Sequence, residues 1–382
     1  MPVISRCRLS IMNTLLITGA TGFVGGAVVE YFLRQQLTTQ NKLLLLVRAD
    51  DNATGLTRII DNLKKFELSD EQLSALSEES ILTGDLADPK SFIQDSRLDN
   101  VTHVINCAAI ASFGNNPAMW RVNVEGSLVF AKRMAQVKGL QRFVHVGTAM
   151  ASMPDKDSVF YEGMPDNEQN EDLVQYTASK RAIENLVREE CPSLPFVVAR
   201  PSIIVGHTQF GCQPSSSIFW VFMMAIKLKK FTCTLDDQVD VIPVDYCAMV
   251  LAKLCLATEL SHNFYHISSG EEMCTPFHEI DTSVAKANNA PRIISEYEQI
   301  SYQDFTGIRK QFKDVLGPCN DKIILRAIKL YGGFAQLNVK FDNSRLLNMG
   351  IPKPAAFKSY IDKCVSSTRG QSISELMRVD FK

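Results

Sequence analysis

Two residues four apart in the segment YTASK, Tyr176 and Lys180, have the types and the spacing for proton transfer. On a helix this spacing places both side chains on one face. A free tyrosine has a pKa of about 10, and a neighbouring ammonium stabilises the phenolate and lowers that pKa. The same spacing is common on solvated helix faces, so the position of the pair in the chain decides its meaning.

Thr148 is the third candidate, because it follows a predicted strand in the segment HVGTA. It falls at the C-terminal end of that strand, the edge at which open parallel sheets bind ligands. Its hydroxyl could hold the carbonyl oxygen of a substrate while Tyr176 donates a proton. Together the three residues indicate acid–base chemistry at a carbonyl group.

Short apolar runs that alternate with longer helical patterns predict the elements that position these residues. The predicted strands are LLIT, KLLLLVR, SILTGD, THVINCAA, RFVHVGT and FVVARP. Helix candidates between them include residues 23–36, 117–137 and 172–191. Near-continuous apolar strands separated by helices predict an α/β fold, a doubly wound parallel sheet covered on both faces with right-handed crossovers.

A glycine-rich turn lies where the first predicted strand meets the first predicted helix, in TGATGFVGG. Gly19 permits the tight turn, Gly22 lets the backbone approach a pyrophosphate, and Gly25 lets the helix pack close to the strand. The amides and the dipole of the helix start favour phosphate there. A plain strand–helix corner is the alternative, but the context favours a dinucleotide site, with Thr21, Phe23 and Val24 among its contacts.

Arg48 stands at the end of the second predicted strand, in LLLLVRAD, with no acidic residue just before it. NAD sites usually place Asp or Glu there, whereas the 2′-phosphate of NADP needs a cation. A guanidinium can hold a phosphate through two hydrogen bonds. A solvated surface arginine is the alternative, since Asp50 and Asp51 partly offset its charge. The sequence favours NADPH over NADH.

Several motifs in order make the chain resemble the extended short-chain dehydrogenase/reductases, from Asn13 to about Cys364. Besides the glycine turn, these are GDL, CAA, NVEGS, the tyrosine–lysine pair and RPSIIVG. The resemblance implies a Rossmann fold and assigns catalysis to Thr148, Tyr176 and Lys180. It also implies cofactor contacts from Asp85, Leu86, Cys107, Ala108, Ala109, Asn123, Tyr176, Lys180, Pro201, Ser202, Ile203 and Ile204.

Within that superfamily, the chain is most similar to the branch that reduces acyl thioesters, which includes the fatty acyl-CoA reductases and male-sterility proteins. The similarity is carried by LLLLVRAD, RFVHVGTAMAS, ARPSIIVGHTQFG, VDVIPVDYCAMVL and FDNSRLLNMGIPKP. It implies hydride transfer from NADPH to a thioester bound to CoA or to a separate carrier protein, giving aldehyde or alcohol. The segment HVGTAMAS departs from the serine–threonine–alanine–tyrosine of many relatives, so we expect the pocket chemistry there to differ.

Three other functions remain open at this point. A ketone reductase of the same superfamily would use the same residues. A sugar-nucleotide epimerase or dehydratase would use them with retained NAD, against which Arg48 and the apolar run at residues 218–226 argue. A non-catalytic dinucleotide sensor generally lacks the tyrosine or the lysine, and this chain has both.

Composition excludes several classes of protein. A formal net charge of -2 gives no reason to expect a nucleic-acid partner. Ten scattered cysteines without CxxC pairs fit reduced thiols, and six histidines lack ligand spacing, so we predict no metal. The longest apolar run, IFWVFMMAI, is about half the length of a membrane-spanning helix. We predict a cytoplasmic protein without a transmembrane segment, and a homodimer remains open.

The predicted organisation has one large and one smaller part. The smaller part is mainly helical and would bind the substrate. Residues 218–226 are either a core helix or an apolar wall near an acyl chain. In the second case, the cations that follow (Lys227, Lys229, Lys230) would bind a phosphate-bearing carrier. The core helix is favoured. The predicted boundaries are a disordered extension at 1–12, an NADP-binding Rossmann domain at 13–206 with later strand pieces near 239–268, a substrate-binding region at 207–236 and 270–365, and a tail at 366–382.

Overall fold

A seven-stranded parallel sheet forms the centre of the computed structural model, which describes residues 12–111, 116–172 and 174–378. Its order is β3-β2-β1-β4-β5-β6-β7, so the chain winds outward in both directions from β1. All six predicted strands are confirmed, and FYHISS adds the seventh. The strands are β1 (Asn13–Thr18), β2 (Asn41–Val47), β3 (Ile81–Thr83), β4 (His103–Asn106), β5 (Arg142–Val146), β6 (Phe196–Pro201) and β7 (Phe264–Ile267).

Helices follow the strands and continue through the C-terminal part. In chain order they are α1 (Phe23–Arg34), α2 (Asn52–Leu63), α3 (Asp70–Leu73), α4 (Ala118–Trp120), α5 (Ser127–Met134), α6 (Gln175–Glu190), α7 (Phe219–Leu228), α8 (Val244–Leu256), α9 (Phe277–Asn288), α10 (Tyr302–Ile308), α11 (Phe312–Leu316), α12 (Asp321–Ala335), α13 (Ser344–Asn348), α14 (Ile361–Ser367) and α15 (Ile373–Met377). Among the described residues, no helix is both long enough and apolar enough to cross a bilayer.

Apolar cores cover the two faces of the sheet. Successive residues of a strand point to opposite faces. Leu15 and Ile17 of β1 therefore pack in the cluster that contains α1 and α8. Leu16 packs in the opposite cluster, with α5 and α6. This alternation of buried residues is the physical basis of the doubly wound fold.

The predicted helix at 117–137 is interrupted by a π-helical turn, Arg121–Gly126, between α4 and α5. Gly126 lies against the carbonyl oxygen of Leu86, which a Cβ at that position would overlap. The glycine of NVEGS thus packs on the loop formed by GDL. Two motifs that are distant in sequence meet at the carboxyl edge of the sheet.

The C-terminal helices form a separate apolar cluster from α7, α10, α11, α12 and α15. Two-residue ladders connect the loops around it: Ile203–Ile204 with Val241–Ile242, Lys230–Phe231 with Glu298–Gln299, Val159–Phe160 with Lys340–Phe341, and Gln238–Val239 with Thr275–Pro276.

The end of the described chain packs against the protein, whereas the sequence predicts a tail at residues 366–382. Ile373, Leu376 and Met377 of α15 are buried against α7 and α12. The Ser216 hydroxyl donates a 3.0 Å hydrogen bond to the carbonyl oxygen of Leu376. A five-residue helix is too short to show apolar periodicity in sequence, which explains the difference. Residues 379–382 and residues 1–11 of the predicted extension lie outside the described residues.

Candidate active site

The glycine turn joins β1 to α1 at the carboxyl edge of the sheet. Gly19 has φ +68, which favours glycine, and a Cβ there would lie 2.8 Å from the amide nitrogen of Ala108. A Cβ on Gly25 would overlap the carbonyl oxygen of Gly19. Gly22 is solvent-exposed and caps the start of α1. The tight turn, close packing and free helix start fit the pyrophosphate of a dinucleotide.

A chain of buried hydrogen bonds fixes the strand ends beneath this turn. The Thr18 hydroxyl donates to Asn106 Oδ1 at 2.6 Å and accepts from the Ala108 amide at 3.0 Å. Asn106 Nδ2 lies 3.1 Å from His145 Nδ1. Burial holds the pKa of His145 well below its usual value, so the imidazole is neutral. The ends of β1, β4 and β5 are thereby held in one arrangement.

Tyr176, Lys180 and Thr148 line one cavity of about 370 Å³. Lys180 Nζ donates a 2.7 Å hydrogen bond to the carbonyl oxygen of Val146, the last residue of β5. It lies 5.9 Å from the centroid of the Tyr176 ring. Thr148 follows β5 and does not use its side chain to cap the short helix after it. The structure thus brings the three predicted catalytic residues together.

The acid–base properties of the pair differ from the sequence prediction. Burial raises the pKa of Tyr176 to about 12, the opposite direction to the lowering that a neighbouring ammonium predicts. Burial lowers the pKa of Lys180 to about 8, although the nearby carboxylate of Glu184 acts in the opposite direction. Removal from water favours the neutral form of both side chains. A neutral phenol can donate a proton, and Lys180 keeps its charge below pH about 8.

A buried charge cluster holds α6 against β6, and sequence reasoning missed most of it. The Arg200 guanidinium donates to Glu184 at 2.7 to 3.2 Å, to Asp166 at 2.6 and 2.9 Å, and to the Ser152 hydroxyl at 2.8 Å. Glu184 stands one turn after Lys180 in α6. The sequence held one indication of this cluster, because Arg200 lies within the otherwise apolar strand FVVARP.

Arg48 and Asp85 lie at the same edge of the sheet as Gly19, after β2 and β3. Arg48 is exposed, and the side chain of Arg58 on α2 donates to its carbonyl oxygen. A second guanidinium that the sequence analysis did not single out therefore lies beside it. Asp85 Oδ1 accepts from the Ala87 amide at 2.8 Å, which fixes the turn after β3.

Most of the predicted cofactor residues contribute to the wall of the cavity. These are Gly19, Gly22, Phe23, Val24, Gly25, Cys107, Ala109, Tyr176, Lys180, Pro201, Ser202, Ile203 and Ile204. Burial raises the pKa of Cys107 to about 12, so this residue presents a neutral thiol. The other predicted residues lie outside the wall: Thr21, Arg48, Asp85, Leu86, Ala108 and Asn123.

Asn123 does not fit the predicted role of a direct cofactor contact. It is 2% exposed, and its Nδ2 group donates to the Ile110 carbonyl at 3.1 Å and to the Ser179 hydroxyl at 3.0 Å. Its Oδ1 accepts from the Ile110 amide at 2.8 Å. Both amide hydrogens are used inside the protein, so Asn123 ties the loop after β4 to α6.

The cavity continues from the catalytic residues into an apolar lobe. Its lining comes from α7 and the residue before it, from α12, from the start of α9 and from two of the short ladders: Ile218, Val221, Phe222, Ala225, Phe231, Val239, Phe277, Tyr331, Phe334 and Ala335. We call this part the apolar lobe. Helix α7 belongs both to the core and to the cavity wall, because Phe219, Trp220 and Met224 are fully buried while Val221, Phe222 and Ala225 line the lobe.

Two of the three lysines at the end of α7 lie beside carboxylates. Lys229 Nζ lies 2.5 Å from a carboxylate oxygen of Glu296, and Lys230 forms an ion pair with Glu298. Glu298 belongs to the ladder that joins residues 230–231 to 298–299, and Glu296 lies two residues before it. The charges of Lys229 and Lys230 are therefore offset by nearby carboxylates, which favours the core interpretation of this segment.

This fold and this arrangement of residues define an extended short-chain dehydrogenase/reductase. The chain belongs to the male sterility protein family of NAD-binding domains, whose pattern matches residues 17–251, more than half of the chain.

Curated relatives match at 26% identity. The aldehyde reductase lnaA of Aspergillus flavus matches 70% of this chain and 26% of its own length. The fatty acyl-CoA reductase wat of Drosophila melanogaster matches 66% of this chain and 55% of its own length. The probable fatty acyl-CoA reductase 5 of Arabidopsis thaliana matches 70% of this chain and 68% of its own length. The chain thus spans only part of the first two relatives.

Solved structures share the fold at low identity. The terminal R domain of the myxalamid PKS-NRPS pathway superposes with a TM-score of 0.74 at 20% identity, covering 94% of this chain and 90% of that one. The reductase domain of a non-ribosomal peptide synthetase from Mycobacterium tuberculosis gives 0.67 at 19% identity, covering 94% and 92%. The Bordetella bronchiseptica enzyme WbmH in complex with NAD+ gives 0.60 at 20% identity, covering 94% and 99%.

Proposed function

We propose that this protein reduces acyl thioesters with NADPH. The observation that carries the proposal is one continuous cavity that runs from the glycine turn, past Tyr176 and Lys180, into the apolar lobe. The names of the fatty acyl-CoA reductases among its relatives agree with this substrate class. The thioester would arrive on CoA or on a separate carrier protein.

The dinucleotide site supports NADPH over NADH. Arg48 follows β2, where NADH sites usually hold a carboxylate, and the Arg58 guanidinium donates to the carbonyl oxygen of Arg48. Arginine binds phosphate through paired hydrogen bonds. A nicotinamide dinucleotide supplies the hydride when it is bound. Gly19, Gly22 and Gly25 would hold its pyrophosphate, and Pro201 to Ile204 would lie beside its nicotinamide.

The catalytic roles follow from the position of each group. Hydride addition to the thioester carbon places negative charge on the carbonyl oxygen, which the Thr148 hydroxyl stabilises by donating a hydrogen bond. Tyr176 donates a proton as general acid. Lys180 would bind the ribose of the cofactor, and its ammonium lies 5.9 Å from the centroid of the Tyr176 ring. Cleavage of the carbon–sulfur bond then gives an aldehyde and a free thiol.

The lining of the lobe favours an acyl chain over a sugar nucleotide. Among the described residues that line the whole cavity, Lys180 is the only one with a cationic side chain. The diphosphate of a UDP-sugar needs cations or several donors. An alkyl chain instead gains free energy by leaving water for an apolar lining.

The test is to follow NADPH oxidation with a panel of acyl-CoA and carrier-bound thioesters beside simple ketones and UDP-sugars. We expect turnover with thioesters and release of a titratable thiol. Tyr176→Phe serves as the control for non-enzymatic oxidation. Turnover of ketones alone would overturn the thioester assignment, and NAD that copurifies with the protein, together with sugar-nucleotide turnover, would replace it by an epimerase.

A further inference from the structure

We infer that the apolar lobe sets an upper limit on acyl-chain length and that Phe222 and Phe277 form its end wall. This inference rests on the proposed function and deepens it. The lobe is lined by apolar and aromatic side chains, so the part of a thioester that fits it is a flexible hydrocarbon chain rather than a polar group.

A second, small cavity of about 20 Å³ lies directly behind the lobe. The two cavities share four lining residues, Phe222, Ala225, Phe231 and Phe277, which therefore form the partition between them. The rear cavity is large enough for about one water molecule. A chain that reaches the partition has no space to continue, so the partition is where the lobe ends.

The partition is rigid on both sides. Phe222 is 5% exposed, and its ring centroid lies 6.1 Å from that of Phe277 and 5.4 Å from that of Phe357. The backbone of Phe277 is fixed, because its amide donates to the Asp237 carbonyl oxygen at 3.1 Å. Phe222 therefore cannot turn aside without disturbing a packed aromatic cluster.

Removal of the Phe222 ring should join the lobe to the rear cavity. Beyond the partition the lining is still apolar, with Ile226, Ile280 and Ile293, until the buried carboxylate of Asp281 is reached. Asp281 Oδ2 lies 3.5 Å from Arg292 Nε, so this end is charged and would stop a methyl terminus. The gain in length is therefore finite.

The experiment measures kcat/KM for saturated acyl-CoA thioesters from acetyl to palmitoyl, with the full chain and NADPH. In the wild type, each added methylene that enters the lobe should raise kcat/KM about fourfold. The rise should stop at one chain length, the limit set by the partition. Phe222→Ala should move that limit to longer chains, and Ala225→Leu, which fills the lobe, should move it to shorter ones.

Phe219→Ala is the matched control, since it removes the same ring from the same helix but lines neither cavity. Its limit should equal that of the wild type. If Phe222→Ala does not fold, Phe222→Leu takes its place. If neither Phe222 variant folds, the chain-length limit of Ala225→Leu tests the inference by itself. A folded variant at either position with an unchanged limit overturns the inference.

A binding measurement separates this inference from the proposed function. Free saturated fatty acids of the same lengths are titrated into wild type and variants by calorimetry. If the wild type reduces no thioester but affinity still rises with chain length up to a limit that shifts in Phe222→Ala, the proposed function fails and the lobe inference stands. If thioesters are reduced and the chain-length limit does not shift in Phe222→Ala, the proposed function stands and the lobe inference fails.

Discussion

The guanidinium of Arg200 and the carboxylate of Glu184 are joined by three hydrogen bonds of 2.7 to 3.2 Å, with both side chains almost wholly buried. The pair connects β6 to α6, the helix that carries Tyr176 and Lys180. Gly147, which immediately precedes Thr148, lies so close that a Cβ there would overlap Glu184 Oε1. The pair is thus part of the packing behind all three candidate catalytic residues.

Glu184→Gln should destabilise the fold strongly. The substitution leaves Arg200 with one carboxylate partner, Asp166, and turns an amide donor toward a guanidinium that has only donors. Breaking a buried ion pair costs about 3–5 kcal/mol. Urea unfolding should show a loss of that order. Glu189→Gln on the exposed face of the same helix is the control, with about 0.5 kcal/mol or less. An equal loss of unfolding free energy in the two variants would show that the Glu184–Arg200 pair stabilises the fold no more than an exposed carboxylate does.

Arg48→Ala should weaken binding of NADPH far more than binding of NADH. Only NADPH carries the 2′-phosphate that a guanidinium at the end of β2 would hold. Arg58→Ala should act in the same direction, because this side chain lies beside Arg48. Dissociation constants for both cofactors, measured by fluorescence titration, check this. Equal losses for the two cofactors would refute the assignment of Arg48 to the phosphate.

Gly22→Val should abolish binding of both cofactors while the fold survives. Gly22 has φ -86, an ordinary value for any residue, and a Cβ there would lie 3.1 Å from the Gly19 carbonyl oxygen. Its side chain would occupy the space needed by the pyrophosphate. Gly25→Ala is the contrast, because its Cβ would overlap backbone and the loss should appear in thermal stability. If Gly22→Val binds both cofactors as tightly as the wild type does, the glycine turn does not bind the pyrophosphate.

The sequence predicted what is local and apolar, and missed what depends on distant packing. The six predicted strands are confirmed because each is a short apolar run with a clear stop. The lobe was not predictable in the same way, since Phe222, Phe277 and Phe334 meet only in the folded chain. The pKa of Tyr176 was predicted to be lowered by charges beside the phenol, whereas burial, which the sequence does not show, raises it.

The pH dependence of kcat/KM should follow Lys180. Its pKa is lowered to about 8 by burial, so it is charged below that pH and loses its charge as the pH rises. Tyr176, whose pKa is raised to about 12, remains protonated throughout this range. Because kcat/KM reports the free enzyme, it should fall as pH rises through about 8. In Lys180→Met this alkaline decline should disappear. A shared decline in both proteins would assign it to another group.

Tyr176→Phe keeps the packing of the ring and deletes one hydroxyl, so the fold and the affinity for the cofactor should largely survive. General acid catalysis contributes about a hundred- to ten-thousand-fold, and kcat should fall by that order. Lys180→Met should lower both kcat and cofactor affinity, because the ammonium serves the ribose and the phenol. Circular dichroism and cofactor titration on each variant separate loss of chemistry from loss of structure.

The double variant decides whether the two residues act as one unit. If Tyr176 transfers the proton under the influence of Lys180, removal of either disables the same step, and the losses in kcat should not add. Independent roles would instead give a double loss equal to the product of the two single losses. Normal turnover of Tyr176→Phe on a confirmed substrate would show that Tyr176 is not the acid. The proton would then have to come from another group on the cavity wall, for which Thr148 is the remaining candidate near the carbonyl oxygen.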